Sequence, residues 1–162
     1  MIRYLLALLV VLNAFTVSAS SLTEANMDWL TQHHKQLEET LSSTDKQDFI
    51  PSLNTVLSLW VHRDGGITGE VSPYIIRAII TAPELVLGEL ETHPESYTRW
   101  LTQLQGQVFT AIYPEQLEQL NALKQKVSSV LSDYIQLPDS QAKKTAKRLL
   151  RELETITVYV VD

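Results

Sequence analysis

The sequence predicts an all-α protein of about seven helices, arranged as a compact multi-helix bundle or as a short helical array. Three observations favour this fold class. Apolar residues recur at spacings of three and four, several segments begin with proline followed by glutamate, and no convincing pair of alternating strands is present. Apolar residues at this spacing share one face of a helix, and proline is tolerated in the first turn of a helix.

The first two helices each have an apolar stripe. On the first helix the stripe consists of Met27, Leu30, His34, Leu37 and Leu41. On the second it consists of Phe49, Leu53, Val56, Leu57 and Trp60, and Pro51 falls near the first turn. We therefore expect His34 to be a hydrogen-bonded core histidine. Adjacent side chains point about 100° apart around a helix, so His33 is expected to face solvent.

A glycine-rich segment, residues 62–71, follows the second helix. It holds three of the five glycines of the chain and is expected to be an interhelical loop. Ser72 and Pro73 then predict the N-cap and first position of a third helix. Arg77 is the only charged residue between positions 74 and 82, so this helix is expected to be the most buried element.

Three later helices are predicted to start at a proline followed by a glutamate, at Pro83, Pro94 and Pro114. The helix from Pro94 is expected to bury Tyr97, Trp100, Leu101, Leu104 and Val108. The longer helix from Pro114 carries its apolar residues at Leu117, Leu120, Leu123, Val127, Val130, Leu131, Tyr134 and Ile135.

The proline-started helices between Ser72 and about Tyr113 resemble the helix pairs of HEAT-type α-solenoids. This resemblance implies a short HEAT-like array as the alternative to a bundle. The proline–glutamate starts are 11 and 20 residues apart, whereas true repeats keep a fixed period, so membership of that family is not predicted.

The last helix is expected to bury Ala142, Ala146, Leu149, Leu150 and Leu153. The tail from Thr155 to Val161 is rich in β-branched residues and partly alternates, which favours a strand, although Ile156 and Val160 also continue the helical spacing. We expect a helix that gives way to a short extended or frayed C-terminal tail.

The N-terminus has the layout of a secretory signal peptide. Arg3 precedes an apolar run from Tyr4 to Leu12, and the small residues Val17 and Ala19 predict cleavage after residue 19. An uncleaved anchor is the alternative. The remaining residues, 20–162, are expected to form a single helical domain without a transmembrane segment, in the periplasm or, alternatively, secreted into the medium.

Charge and cysteine content narrow the function classes. Without Arg3, 12 basic and 19 acidic residues remain, a net charge of −7, which argues against nucleic-acid binding. The chain has no cysteine, which excludes disulfides, thiol catalysis and thiolate metal sites.

The last helix carries a one-sided basic cluster of Lys143, Lys144, Lys147, Arg148 and Arg151, with no acid among them. Such a face can bind an acidic partner, a second copy or anionic lipid, or it can simply be a solvated face. Trp29 lies off the stripe of the first helix, so it is either an exposed interface residue or a cover for a neighbouring helix end.

A second candidate site lies at the glycine-rich segment, where His62, Asp64 and Glu70 could form an acid–histidine or metal site. An EF-hand is not predicted, because aligning Gly65 with the turn glycine places Trp60 where the first carboxylate is required. No cofactor or metal is expected. The sequence thus predicts an exported, non-enzymatic protein that binds another macromolecule, with a cell-envelope hydrolase using the glycine-rich segment as the alternative.

Overall fold

A computed structural model describes residues 19–62 and 65–161. In these two ranges the chain forms seven helices and two short strands. The helices are α1 (Ala19–Leu41), α2 (Lys46–Val61), α3 (Gly65–Thr81), α4 (Pro83–Thr92), α5 (Pro94–Val108), α6 (Gln116–Gln136) and α7 (Lys143–Thr155). The strands are β1 (Thr110–Ala111) and β2 (Tyr159–Val160). The predicted all-α fold class is confirmed.

Helix α3 is the centre of the fold. It packs against α1, α2, α4, α5 and α6, while α7 packs against α6 and α4. In an α-solenoid each repeat contacts only its neighbours, whereas five helices surround α3, so the architecture is a bundle and not a HEAT-like array. The predicted deep burial of α3 is confirmed, since Ile75, Ile76, Ala78 and Ile79 are fully buried.

The expected loop at residues 62–71 is wrong over most of its length, because α3 already begins at Gly65. Val71 and Ile67 are buried, and they extend the inward face of α3 to one and two turns before Tyr74. Burial of these side chains outweighs the low helix propensity of glycine. Ser72 and Pro73 therefore lie inside α3 and do not start it.

Of the three later helix starts predicted at a proline, two are confirmed and one is shifted. Pro83 and Pro94 occupy the first turns of α4 and α5 as predicted. Helix α6 begins at Gln116, two residues after Pro114, and its Gln116 side chain accepts hydrogen bonds from the backbone N–H groups of Ile112 and Tyr113. Pro51 lies in the second turn of α2, not near its first.

The apolar stripes of α2 and α5 are buried as predicted, and they meet in an aromatic cluster. The Trp60 and Trp100 rings pack edge to face, with centroids 6.4 Å apart. The stripe of α6 is only partly correct, since Val127, Leu131 and Tyr134 are buried and the other predicted positions are half-exposed.

The C-terminal tail leaves the helix after Thr155 and becomes extended, as predicted. It pairs in parallel with β1, with Thr110 beside Tyr159 and Ala111 beside Val160. The sequence did not indicate this partner strand.

None of the helices in the described ranges is long and apolar enough to cross a membrane.

Candidate binding site

Helix α7 holds most of the predicted basic cluster on its outer side. Ala146, Leu149 and Leu153 are buried against the bundle, so the opposite side faces solvent. There, side chains of α7 line an open groove of about 550 Å³, formed by Lys143, Lys144, Lys147, Leu150, Arg151 and Glu154. We call this the basic groove.

Leu150 was expected in the core, but it is half-exposed in the basic groove. Its position on the helix lies beside the buried stripe, where a side chain can contact both the core and the lysine stems. The groove thus combines an apolar residue with four cations and one carboxylate, that of Glu154.

The cations of the basic groove lack carboxylate partners. Over residues 19–62 and 65–161, no carboxylate oxygen lies within 4 Å of their nitrogens. Lys143 donates a long hydrogen bond of 3.5 Å to the Pro138 carbonyl, and Arg151 donates one of 3.3 Å to the Lys147 carbonyl. Their charges therefore remain available to an external anion.

The start of α7 adds to this positive potential. Lys143 and Lys144 occupy its first turn, no acidic residue is present there, and Ala142 provides no side-chain cap. The N-terminus of a helix carries a partial positive charge, so lysines in the first turn repel it. The arrangement is unfavourable for α7 alone and favourable for binding an anion.

Arg148 is not part of the basic groove, although the sequence grouped it there. Its guanidinium lies over the ring of Tyr97, 5.3 Å from the ring centroid, and donates a 3.0 Å hydrogen bond to the Thr98 hydroxyl. Burial raises the pKa of Tyr97, and the nearby Arg148 charge opposes that rise. Arg148 therefore links α7 to α5.

Trp29 is also separate from the basic groove. It is half-buried against the core, and its ring stacks on His33 with a centroid separation of 4.4 Å. The same surface includes Pro51 and Thr55 of α2. The ring of Trp29 thus lies at a surface shared by α1 and α2, apart from the basic groove.

The predicted acid–histidine site is not assembled among the described residues. His62 caps the end of α2, where its Nδ1 lies 2.9 Å from the Ser58 carbonyl, and Glu70 is exposed on α3. Asp64 lies outside the described residues. In the described ranges, no group of three His, Asp or Glu side chains is placed to hold a metal ion.

The two adjacent histidines of α1 are placed opposite to expectation. His33 is half-buried beneath Trp29, whereas the side chain of His34 is mostly exposed. The stripe containing His34 is interrupted because α3 approaches α1 there with the polar end of Tyr74, whose hydroxyl lies 2.6 Å from His34 Nδ1.

Sequence reasoning missed the polar cluster around that contact. Glu38 lies 3.6 Å from His34 and forms a 2.8 Å ion pair with Arg77 of α3. Burial, with the Glu38 and Glu70 charges, raises the pKa of Tyr74 to about 12. The spacing of His34 and Glu38 on α1 was a signal in the sequence, but their partners on α3 were not. The cluster joins α1 to α3.

Comparisons of the chain with protein-family models, with curated proteins and with solved structures gave no match. We therefore infer a function from the geometry of the basic groove.

Proposed function

We propose that this protein is exported to the periplasm, where it binds an acidic partner protein through the basic groove without catalysing a reaction. Export rests on the predicted signal peptide, residues 1–19. The observation that carries the binding proposal is the set of four cations around Leu150, none of them paired with a carboxylate of the described residues.

The charge distribution favours an acidic protein as the partner. The chain as a whole has a net charge of −6, so a strong cationic surface confined to α7 gives a defined orientation to an acidic partner. Leu150 adds an apolar contact at the centre of the cations, as is typical of the cores of protein interfaces.

A membrane surface fits the groove less well. Helices that lie on a bilayer insert a broad apolar face, usually with aromatic residues, between the lipids. The outward apolar surface of α7 is Leu150 alone, and its remaining leucines are buried in the bundle. Anionic lipid is therefore the competing ligand that the experiment must exclude.

The proposal is tested with the purified protein and a fluorescent peptide of about ten aspartate and glutamate residues, a mimic of an acidic protein surface. We expect saturable binding that weakens as salt is raised, because salt screens charge pairs. Lys144→Glu/Lys147→Glu should reduce the affinity by roughly tenfold or more, or about 1.4 kcal/mol.

The matched control is Lys46→Glu/Lys126→Glu, which changes the net charge equally at two exposed lysines on other helices. It should keep most of the affinity. An equal loss in both double variants would mean that only net charge matters and would contradict a site on α7. Binding to vesicles of anionic lipid without binding to the peptide would assign the groove to a membrane instead.

Once the groove is shown to bind the peptide, the natural partner is sought with the whole protein. The wild-type protein and the Lys144→Glu/Lys147→Glu variant are each used as bait in a periplasmic extract. The partner should be an acidic protein retained by the wild type and lost by the variant.

A further inference from the structure

The two-stranded ribbon at the end of the chain has an apolar outer face. Side chains alternate between the two faces of a strand, so Tyr159 of β2 shares one face with Val161, the residue after β2. Continuing the register by one residue places Ile112 on the same face. These three side chains are 44%, 48% and 63% exposed. The inner face carries Ala111, which is buried.

The two edges of the ribbon differ in their hydrogen bonds. Beside β1, the N–H groups of Ile112 and Tyr113 are occupied by the side chain of Gln116. In β2, the N–H of Val161 donates to the Ala111 carbonyl at 2.9 Å. Because backbone groups alternate along a strand, the N–H and C=O groups of Val160 point away from β1. Continuing the same alternation to Val158, the residue before β2, gives its backbone groups the same direction.

Nothing in the described part of the sheet pairs with that outer edge of β2. Proteins usually protect such edges with lysine, proline or a covering loop. Residues 157–161, Thr-Val-Tyr-Val-Val, contain neither lysine nor proline and no charge. Two strands alone are marginal in water, so a further strand would stabilise the ribbon.

We propose that a second copy of this chain pairs with β2 along this edge, antiparallel and about a two-fold axis at Tyr159. The sheet then has the order β1–β2–β2–β1 across the dimer. The outward backbone groups of Val158 in one copy bond those of Val160 in the other, and the reverse pair does the same. Tyr159 faces Tyr159 of the second copy in the closely spaced position between these pairs.

The charge and apolar surface of the edge support a second copy as the occupant. The chain is acidic overall, so two copies repel each other over most of their surfaces, whereas residues 157–161 are uncharged. In this register the ring of Tyr159 meets its equivalent directly and Val161 of the other copy diagonally. Both exposed apolar side chains are thereby partly covered.

The proposed contact is small, so the dimer should be reversible and concentration-dependent. Sedimentation of the purified protein, from micromolar to about millimolar concentration, should show a mass that rises toward twice that of the monomer. Added salt should favour the dimer, because it screens the repulsion between two acidic chains. Binding at the basic groove has the opposite salt dependence, so the two proposals can fail separately.

Two variants test the edge. Val160→Pro removes an N–H that points outward and leaves the bonds between β1 and β2 intact. Tyr159→Lys places two like charges opposite each other at the axis. Both should remain monomeric while unfolding at the wild-type temperature within a few degrees. Tyr113→Lys, a matched change at an exposed tyrosine off the strand, should dimerise like the wild type.

The absence of cysteine from the chain allows a direct test of the register. A single Tyr159→Cys substitution should give a disulfide-linked dimer on mild oxidation, because closely spaced pairs place the Cβ atoms within disulfide range. Leu137→Cys, an exposed control away from the ribbon, should not. Preferential cross-linking through Val160→Cys would overturn this register.

A wild-type chain that stays monomeric at every concentration would overturn the proposal. So would an equal loss of dimer in Tyr113→Lys and Tyr159→Lys, since the contact would then lie elsewhere. A monomer that binds a strand-forming peptide of unrelated sequence would assign the edge to the strand of a different partner.

Discussion

The hydroxyl of Ser72 accepts a hydrogen bond from the indole Nε1 of Trp100 at 2.9 Å, inside the core between α3 and α5. The same hydroxyl donates to the side-chain oxygen of Gln107 at 2.8 Å. Ser72 is completely buried, in a helix that is otherwise apolar on its inner side. This serine therefore satisfies a buried donor and is not the helix cap that its position before Pro73 suggested.

Ser72→Ala is expected to destabilise the protein by about 1–3 kcal/mol, because the Trp100 N–H would be left buried without its acceptor. The free energy of unfolding is measured by urea denaturation. Ser129→Ala, at an exposed position of α6, serves as the control and should have an effect of less than about 0.5 kcal/mol. Equal effects of the two substitutions would contradict the assigned role of Ser72.

Gly69→Ala is expected to stabilise the protein by roughly 0.5–1 kcal/mol. Gly69 lies within α3, and a Cβ atom there would meet nothing within 4 Å. Alanine has the higher helix propensity and loses less backbone entropy on folding. If Gly69 instead lay in a loop at a positive φ, the same substitution would destabilise the protein, so the sign of the change in a urea titration distinguishes the two conformations.

Lys144→Glu is expected to raise the free energy of unfolding by about 0.3–1 kcal/mol while it weakens binding of the acidic peptide. A glutamate in the first turn of α7 interacts favourably with the helix dipole, which the lysine opposes. Thermal unfolding and peptide binding are measured on the same preparation. In the control Lys126→Glu, in the middle of α6, neither quantity should change appreciably. Lower stability in Lys144→Glu would argue against the proposed repulsion between Lys144 and the N-terminus of α7.

Arg148→Gln and Lys147→Gln should separate stability from binding, although the two residues are adjacent. Arg148 stacks on Tyr97 and bonds Thr98, so its loss should cost about 0.5–1 kcal/mol of stability and leave peptide affinity nearly unchanged. Lys147 lines the basic groove, so its loss should mainly reduce affinity. The reverse pattern in unfolding and binding titrations would show that Arg148, and not Lys147, contributes to the binding surface.

Stability is expected to fall as the pH rises from 10 to about 12. Burial raises the pKa values of Tyr74 and Tyr97 in the folded protein, so the unfolded chain loses these protons first and is favoured at high pH. Unfolding free energies are measured by urea titration from pH 8 upward.

Tyr97→Phe isolates one of these tyrosines. It removes the hydrogen bond to the Thr145 carbonyl and should cost about 1 kcal/mol near neutral pH. The difference from the wild type should shrink above pH 10, because only the wild type still loses stability through this tyrosine. A constant difference would mean that Tyr97 does not contribute to the pH dependence.

The apolar stripes of α2 and α5 could be predicted in full, because each of these helices buries a single face and burial then follows the helical period. The same reasoning failed at the start of α3, where glycines suggested a loop. Ile67 and Val71 are at helical spacing from Tyr74. Whether they are buried, however, depends on helices that lie far away in the sequence.

The candidate site was predicted in part. Four of the five cations on α7 line the basic groove, because residues three, four and seven apart on one helix share a side. Arg148 was misplaced because Tyr97 of α5 binds its guanidinium, and no local pattern in α7 contains that information. His34 was misplaced for the same reason, since Tyr74 and Glu38 hold it at a polar contact between α1 and α3.

Local sequence patterns predict the helical fold class, most helix positions, the buried faces of α2, α5 and most of α7, and the extended tail. Period, caps and proline positions are local properties, so they can be read along the chain. The folded structure was needed to show that α3 is central, that the tail pairs with Thr110 and Ala111, and that Arg148 lies outside the basic groove. These features depend on which distant segments pack together, and that choice follows from the shape and burial of the whole core.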